Sequence, residues 1–341
     1  MPRLAATLLS LATLAVATAP TAVPAAVADG PTGSTGAQGF SQEFAQEIPH
    51  EISPADNLPS TFDLQAHRGG RGEYTEESRA AFEHALDLGV TTLELDIHLS
   101  KDGVPVVWHD ASVQADKCTG DHVGQDVHDL TWAQLQTLNC NLPLADYPDA
   151  VHAEDNRMLQ LADVFDLAAR DPQVHFNIET KIEAEAPERS APAQEYVDAI
   201  LDTADAAGVT DRVAVQSFDW STLPLVRERA PQVPLVALWD ETTWTAESPY
   251  LGPVDYARVG GDVLLAARQL GVEVLSPDHT FAEPAEFIAR AHAAGFRVVP
   301  WTINETGDME EYLDAGVDGI ITDYPTRLAG ILEERGVTAR A

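Results

Sequence analysis

The sequence predicts an α/β fold, a (β/α)8 TIM barrel with an inserted segment after a hairpin on its second strand. Three observations predict it. From Phe62 onward, short β-branched or apolar runs alternate with amphipathic helical stretches, and eight such units fill about 280 residues, the size of one such barrel. Many of the helical stretches are followed by glycine, which enters the left-handed region without steric cost and so ends a helix. Polar residues collect where the strands end: His67 and Arg68, Glu94 and Asp96, Glu179 and Lys181, Gln216 and Ser217, Trp301 and Asn304, and Asp323. The C-terminal ends of the strands are where a barrel of this kind builds its chemistry. An open doubly wound sheet is the competing architecture, but His67-Arg68-Gly69-Gly70-Arg71-Gly72 lacks the glycine spacing of the phosphate-binding turn such sheets carry.

In chain order, residues 1–28 read as a secretory signal peptide. Arg3 is basic, residues 5–18 are apolar, and Ala26-Val27-Ala28 precedes Asp29 as a cleavage site. Pro20 and Pro24 interrupt the run, which is short for a bilayer span; the expected location is extracellular. Residues 29–58 are rich in Gly, Pro, Ser, Gln and Thr and read as a flexible N-terminal segment. Residues 59–341 then form the barrel domain. Strands are expected over 62–66, 92–99 with a returning arm over 104–108, 174–180, 212–217, 233–239, 272–276, 297–303 and 318–322. Helices are expected over 76–88, 159–170, 193–207, 221–229, 262–270, 285–294, 309–315 and after Pro325, with inserts at about 111–157 and 240–257.

The strand over 92–99 is the focus. Residues two apart share a face, so Glu94, Asp96 and His98 point one way while Leu93, Leu95 and Ile97 fill the other. Asp102-Gly103 predicts a two-residue hairpin loop, which pairs Lys101 with Val104 and places His109 opposite Asp96. Two carboxylates this close repel unless a cation holds them, and oxygen donors suit a hard divalent ion.

The formal net charge is −35, which repels nucleic acid and anionic lipid headgroups. No later segment is apolar enough for stable membrane insertion. The two cysteines, Cys118 and Cys140, fall in one insert and outside the cell are expected to pair.

His67-Arg68-Gly69, Glu94-Leu95-Asp96, the run from Lys101 to Asp110 with His109, Ile178-Glu179-Thr180-Lys181, Gln216-Ser217-Phe218, Trp301-Thr302-Ile303-Asn304 and Ile321-Thr322-Asp323-Tyr324-Pro325 follow one another in order. This series resembles the glycerophosphodiester phosphodiesterases, of the same barrel superfamily as the phosphatidylinositol-specific phospholipases C. The resemblance implies that Glu94, Asp96 and Glu179 bind one divalent cation, Ca2+ or Mg2+, and that His67 and His109 are the acid–base pair. It also implies that Arg68 and Lys181 lie at the phosphate and that Trp301 packs on the glycerol side. Gln216 is a further candidate at the substrate, and His98 reads as structural. One departure stands out: Thr75-Glu76-Glu77-Ser78 occupies the place of the family's Pro-Glu-Asn-Thr, so Glu77 replaces an amide.

The expected activity is hydrolysis of a small-molecule glycerophosphodiester to glycerol 3-phosphate and an alcohol. A cation on a phosphoryl oxygen relieves the repulsion of an attacking anion, and histidine exchanges protons near neutrality. Zinc fits less well, since its sites recruit more His or Cys. The alternatives are a phospholipase D-like hydrolase of lysophospholipids or sphingomyelin, and a non-catalytic binder of glycerophosphate polymers; the retention of both histidines speaks against the binder.

Overall fold

A computed structural model describes residues 53–280 and 284–340. The expected leader over 1–28 and residues 29–52 of the N-terminal segment lie outside the described residues.

The chain runs β1 (Asp63–Ala66), α1 (Arg79–Leu88), β2 (Thr92–Leu99), β3 (Pro105–Val107), α2 (Trp132–Leu135), β4 (Leu159–Gln160) and α3 (Leu161–Ala168). It continues through β5 (His175–Thr180), α4 (Ala193–Ala207), β6 (Val213–Ser217), α5 (Thr222–Arg229), β7 (Leu235–Trp239) and α6 (Val263–Leu270). Last come β8 (Val274–Pro277), α7 (Pro284–Ala293), β9 (Arg297–Val298), α8 (Thr306–Asp314), β10 (Gly319–Thr322) and α9 (Pro325–Arg335). Parallel pairing gives the order β10-β1-β2-β5-β6-β7-β8-β9. Main-chain hydrogen bonds join the two ends of that order: Asp318 N–H to Val298 O, Ile321 N–H to Pro300 O, and Ile303 N–H to Ile321 O. The fold is the expected barrel. Beyond Val298 the stave predicted to reach residue 303 makes these single bonds instead of a continuous ladder.

The two faces of the staves differ, as the two-residue period requires. Outward residues such as Leu93, Leu95, Ile97, Phe176 and Ile178 join the helices in the main core. Inside, Val236, Val274, Val299 and Ile321 form a small apolar plug on the β7–β10 side, while β1, β2, β5 and β6 point polar side chains inward. Residues 53–58, assigned by composition to the flexible segment, belong to the ordered unit. Pro54–Asn57 is a 3-10 turn, Asn57 Nδ2 donates to Gln232 O at 3.0 Å, and Leu58 packs against the apolar plug.

Three local expectations are corrected. The first helix begins at Arg79, not at residue 76, because Ser78 Oγ accepts the Ala81 N–H (3.1 Å) and caps it; Glu76 and Glu77 therefore lie before the helix. Residues 159–160 extend the hairpin as β4, pairing with β3, and do not open the following helix. The hairpin register is one residue off the expectation. Ile97 pairs with Val107 and Leu99 with Pro105, so the loop holds three residues, Lys101 to Gly103, between Ser100 and Val104. Ser100 closes that loop: its Oγ accepts the Val104 N–H (3.0 Å) and donates to Asp102 Oδ1 (2.7 Å), while Gly103 takes φ +78°. His109 is thus not opposite Asp96. It lies beyond the end of β3.

The insert after β3 builds its own small core around Val106, Trp108, Val113, Leu130, Leu135 and Leu138. Cys118 and Cys140 are bonded within it, S–S 2.07 Å.

Candidate active site

Strand register assembles the acidic cluster. In the parallel pair β2–β5, Asp96 lies beside Glu179 and Glu94 beside Asn177. Neighbouring strands run about 4.8 Å apart, so three inward carboxylates converge. One oxygen each from Glu94, Asp96 and Glu179 lie within 4.8 Å of one another, and all three residues are buried. Their charges are balanced unevenly. Burial, with Asp96 and then Glu179 nearby, pushes the Glu94 carboxyl well above its ordinary value. Burial also lifts Glu179 to about 7, against the pull of Lys181. Asp96 bears the same burial, but Lys181 foremost holds it far below the usual carboxylate range. Two of the three acids therefore tend to keep protons in the metal-free chain.

The donor set fits a hard divalent cation. It is all oxygen, it is buried, and Asp96 Oδ2 lacks an aligned hydrogen-bond donor among the described residues.

Arg68 contributes through both its main chain and its side chain. It adopts φ +51°, a left-handed conformation that costs a non-glycine residue about 1–3 kcal/mol. That conformation aims its N–H at Glu94 Oε2 (2.9 Å), while its guanidinium meets Glu76 Oε2 (3.1 Å) and Asp96 Oδ2 (3.2 Å). Gly69 follows because a Cβ there would stand 2.9 Å from the Ala81 Cβ. Lys181 Nζ sits 2.8 Å from Glu179 Oε1 and 3.9 Å from Asp96 Oδ1. Both cations line the cavity, but both already serve the acidic cluster.

Glu77, the departure in the motif, also has φ positive, at +52°. Its Oε1 accepts the Asp96 N–H (2.9 Å), and its Oε2 is buried without a hydrogen-bond partner. Burial, then Asp96 and Glu76, pushes this carboxyl well above its ordinary value.

Each candidate histidine is paired with a carboxylate at Nδ1. His67 Nδ1 lies 2.5 Å from Asp323 Oδ1, and His109 Nδ1 lies 3.0 Å from Asp110 Oδ1. A carboxylate accepts, so each Nδ1 carries the hydrogen and each Nε2 is left for another partner. Burial lowers the pKa of both imidazoles, with Asp323 opposing at His67 and Arg68 and Lys181 adding at His109. Asp323 in turn accepts from Tyr147 Oη (2.6 Å) and Asn304 Nδ2 (2.7 Å) at Oδ2. His98 is fully buried and donates from Nε2 to the His109 carbonyl (3.2 Å), which matches its structural reading.

His67, His109, Arg68, Lys181, Glu94, Glu179, Gln216 and Trp301 all line one cavity of about 300 Å³. Trp301 and Phe218 meet edge to face in its wall, ring centres 5.4 Å apart, and Trp301 is held by its Nε1–H to Ser276 O (2.9 Å). Gln216 is engaged differently from the expectation of a substrate contact. Its Nε2 donates to Glu94 Oε1 (2.7 Å) and its Oε1 accepts from Asn177 Nδ2 (2.9 Å). Asn177 Nδ2 also donates to Gln65 Oε1 (2.9 Å), and Gln65 Nε2 donates to Asp63 Oδ2 (2.8 Å). A line of amides thus crosses the barrel interior and ends on the acidic cluster.

Sequence reasoning gave no role to Lys117, Tyr147, Asp110 or Asn177. Asp110, adjacent to His109, was the one with a local signal. Lys117 and Tyr147 come from the insert, where no periodicity marks them.

Comparison with known proteins agrees with this geometry. Residues 67–327 match the model of the glycerophosphoryl diester phosphodiesterase family. A glycerophosphodiester phosphodiesterase of Caldanaerobacter subterraneus is 28% identical over 272 residues, covering 80% of this chain and 98% of that protein. A human lysophospholipase D is 27% identical over 292 residues, covering 81% and 87%. A crystal structure from Silicibacter pomeroyi, classed among the glycerophosphoryl diester phosphodiesterases, superposes with a TM-score of 0.73 at 29% identity, covering 83% of this chain and 97% of that one.

Proposed function

Because the chain belongs to the glycerophosphoryl diester phosphodiesterase family, and so is a phosphoric diester hydrolase, we propose that it cleaves glycerophosphodiesters to glycerol 3-phosphate and an alcohol by paired-histidine catalysis. The observation that carries the proposal is one cavity lined by two imidazoles, each oriented by its own carboxylate, and by Glu94 and Glu179, with buried Asp96 completing their three-carboxylate cluster.

Glu94, Asp96 and Glu179 would hold a divalent cation, Ca2+ or Mg2+, which would supply positive charge at a phosphoryl oxygen. Arg68 and Lys181 add fixed positive charge at the same wall, and Trp301 with Phe218 forms an apolar surface for the glycerol. In the first step one imidazole Nε2 takes the proton of the glycerol hydroxyl next to the ester oxygen. The hydroxyl oxygen attacks phosphorus, and the other imidazole, entering the step as imidazolium, gives its Nε2 proton to the departing alcohol. A cyclic phosphate remains. Water opens it with the two histidines in exchanged roles, and both end as they began. The lowered pKa of His67 and His109 favours a neutral base in the free enzyme, while Asp323 and Asp110 stabilise each ring when it carries the proton.

Secretion belongs to the same proposal; it rests on the order of basic, apolar and Ala26-Val27-Ala28 segments in residues 1–28. Among the described residues no helix is long and apolar enough to cross a membrane. Lysophospholipid hydrolysis is the second reading, favoured by the name of the human relative. Against it, the exposed large hydrophobic residues among those described are only Val151, Leu265 and Val337, little surface for an acyl chain.

One assay decides. Purified protein receives glycerophosphocholine, glycerophosphoethanolamine or lysophosphatidylcholine, with Ca2+ or Mg2+ and with chelator. Glycerol 3-phosphate from the first two, lost with chelator and lost in His67→Ala and His109→Ala, is the expected result. Near-normal turnover in either histidine variant overturns the acid–base pair, and lysophosphatidic acid as the main product selects the second reading.

A further inference from the structure

The insert over 111–157 reaches into the site at two points, one for each imidazole. Lys117 Nζ lies 2.5 Å from Asp110 Oδ2 and 2.5 Å from Glu76 Oε1. Asp110 uses its other oxygen on His109. At the opposite wall Tyr147 Oη donates to Asp323 Oδ2, and Asp323 uses its other oxygen on His67. Both insert residues are themselves held. Lys117 stands over the Trp108 ring, 5.5 Å from its centre, and precedes the bonded Cys118. Its carbonyl accepts the Leu142 N–H (3.1 Å), and Thr119 and Asn139 pair in both directions just beyond. The Tyr147 ring is covered by the Arg71 guanidinium at 4.7 Å. Four residues on, the insert docks to the strand–helix loop: Val151 N–H donates to Glu73 O (2.8 Å), and Thr75 N–H donates to Val151 O (3.0 Å).

We propose that Lys117 and Tyr147 are positioning residues for the phosphodiester reaction, and that the insert holds both carboxylates that orient the acid–base pair. The inference rests on the assignment of His67 and His109 as that pair. The physics is that of an orienting partner. A carboxylate with one oxygen on the imidazole and the other free can swing about its own χ torsions. Pinning the second oxygen fixes the ring plane and the Nδ1–H tautomer, and so fixes where Nε2 presents itself. At Asp110, which is partly exposed, the ammonium of Lys117 is the constraint the structure shows. At Asp323, which is buried, Tyr147 shares the work with Asn304. The predicted asymmetry is that Lys117 matters more than Tyr147. An insert whose sequence carries no active-site motif would then set the efficiency of catalysis rather than only the choice of substrate.

The experiment compares Lys117→Met, Lys117→Arg and Tyr147→Phe with the unaltered full chain, on glycerophosphocholine with saturating divalent ion. His67→Ala and His109→Ala are run alongside. Loss of turnover in the alanine variants establishes the pair independently; retained turnover there overturns the underlying assignment, and the proposal with it, by a readout separate from that of the Lys117 and Tyr147 variants. With the pair established, Lys117→Met is expected to lower kcat roughly ten- to hundred-fold, and Tyr147→Phe several-fold. KM, divalent-ion affinity by calorimetry and thermal midpoint should stay near those of the parent, and Lys117→Arg should recover most of kcat. Unchanged kcat in both Lys117→Met and Tyr147→Phe overturns the proposal. So does a rise in KM at constant kcat, which would make these residues substrate contacts. A fall in kcat that tracks a fall in thermal midpoint, with no recovery in Lys117→Arg, likewise overturns it.

Discussion

The protonation of the acidic cluster makes a quantitative prediction about divalent-ion binding. Glu179 sits near 7 in the metal-free chain because it is buried, with Asp96 beside it. A bound cation requires the carboxylate, so binding must displace that proton. The perturbation is pH, from 5 to 8, on chelator-stripped protein. Displacing one proton from a group near 7 weakens apparent affinity tenfold per unit below that value and hardly at all above it. Between pH 5 and pH 8 the gain is on the order of a hundred-fold, or about 3 kcal/mol. Glu94, also raised, steepens the dependence. The sign for the fold itself is opposite to the usual carboxylate case. The folded chain keeps a proton that the unfolded chain releases at its ordinary value of 4.5. The contribution of Glu179 to metal-free stability is therefore lost as pH rises from about 4.5 to about 7, a change of about 3 kcal/mol. Isothermal calorimetry at several pH values, in buffers of different ionisation enthalpy, measures both the affinity and the protons released. Affinity equal at pH 5 and pH 8, or binding at pH 6 without proton release, would refute the reasoning. Glu179→Gln should bind more weakly and show a shallower pH dependence, keeping the part that Glu94 contributes.

Three further outcomes are expected. Gln216→Leu removes the donor to Glu94 and strands Asn177, so divalent-ion affinity should fall tenfold or more, with about 1–3 kcal/mol lost in denaturant unfolding; unchanged affinity would show that the amide does not orient Glu94. Glu77→Gln keeps an acceptor for the Asp96 N–H and should leave turnover within about threefold, whereas Glu77→Leu should lose about 1–3 kcal/mol of stability and much of the activity; equal behaviour of the two in thermal and kinetic assays would contradict this. Replacing Cys118 and Cys140 by serine opens a link across a separation of 22 residues, which in the chain-entropy model is worth about 3 kcal/mol; urea unfolding with and without reductant reads it, and no reductant effect on the parent would count against the estimate.

Much of the site was legible because it obeys strand periodicity. Glu94 and Asp96 share a face by the alternation of β2, and Glu179 lands beside Asp96 by the parallel register with β5. Helix ends at Gly89, Gly208 and Gly271 were legible for a similar local reason. The failures have local causes too. Asp102-Gly103 argued for a two-residue loop, but the Ser100 hydroxyl captured the Val104 amide and lengthened it, so His109 reaches the site by leaving the strand. Glu76 looked helical by pattern, and a cap two residues later moved the start. Gln216 was found by position but its partner was not: an amide can face substrate or ligand, and only the three-dimensional placement of Asn177 decides. Lys117 and Tyr147 could not be found, since Tyr147 meets Asp323 across 176 residues of chain and nothing in the insert's pattern marks the contact.

The amide line through the barrel has a direction built into it. Asn177 spends both of its amide hydrogens, one toward Gln65 and one toward Gln216, so donation radiates from the middle and terminates on a carboxyl oxygen at each end, Asp63 at the floor and Glu94 at the mouth. An oxygen in place of that nitrogen would reverse neither half; it would sever both. The floor of the barrel and its reactive rim are thereby wired to a single nitrogen atom. A substitution at position 177, far from any substrate, would be felt simultaneously where the barrel is sealed and where it works.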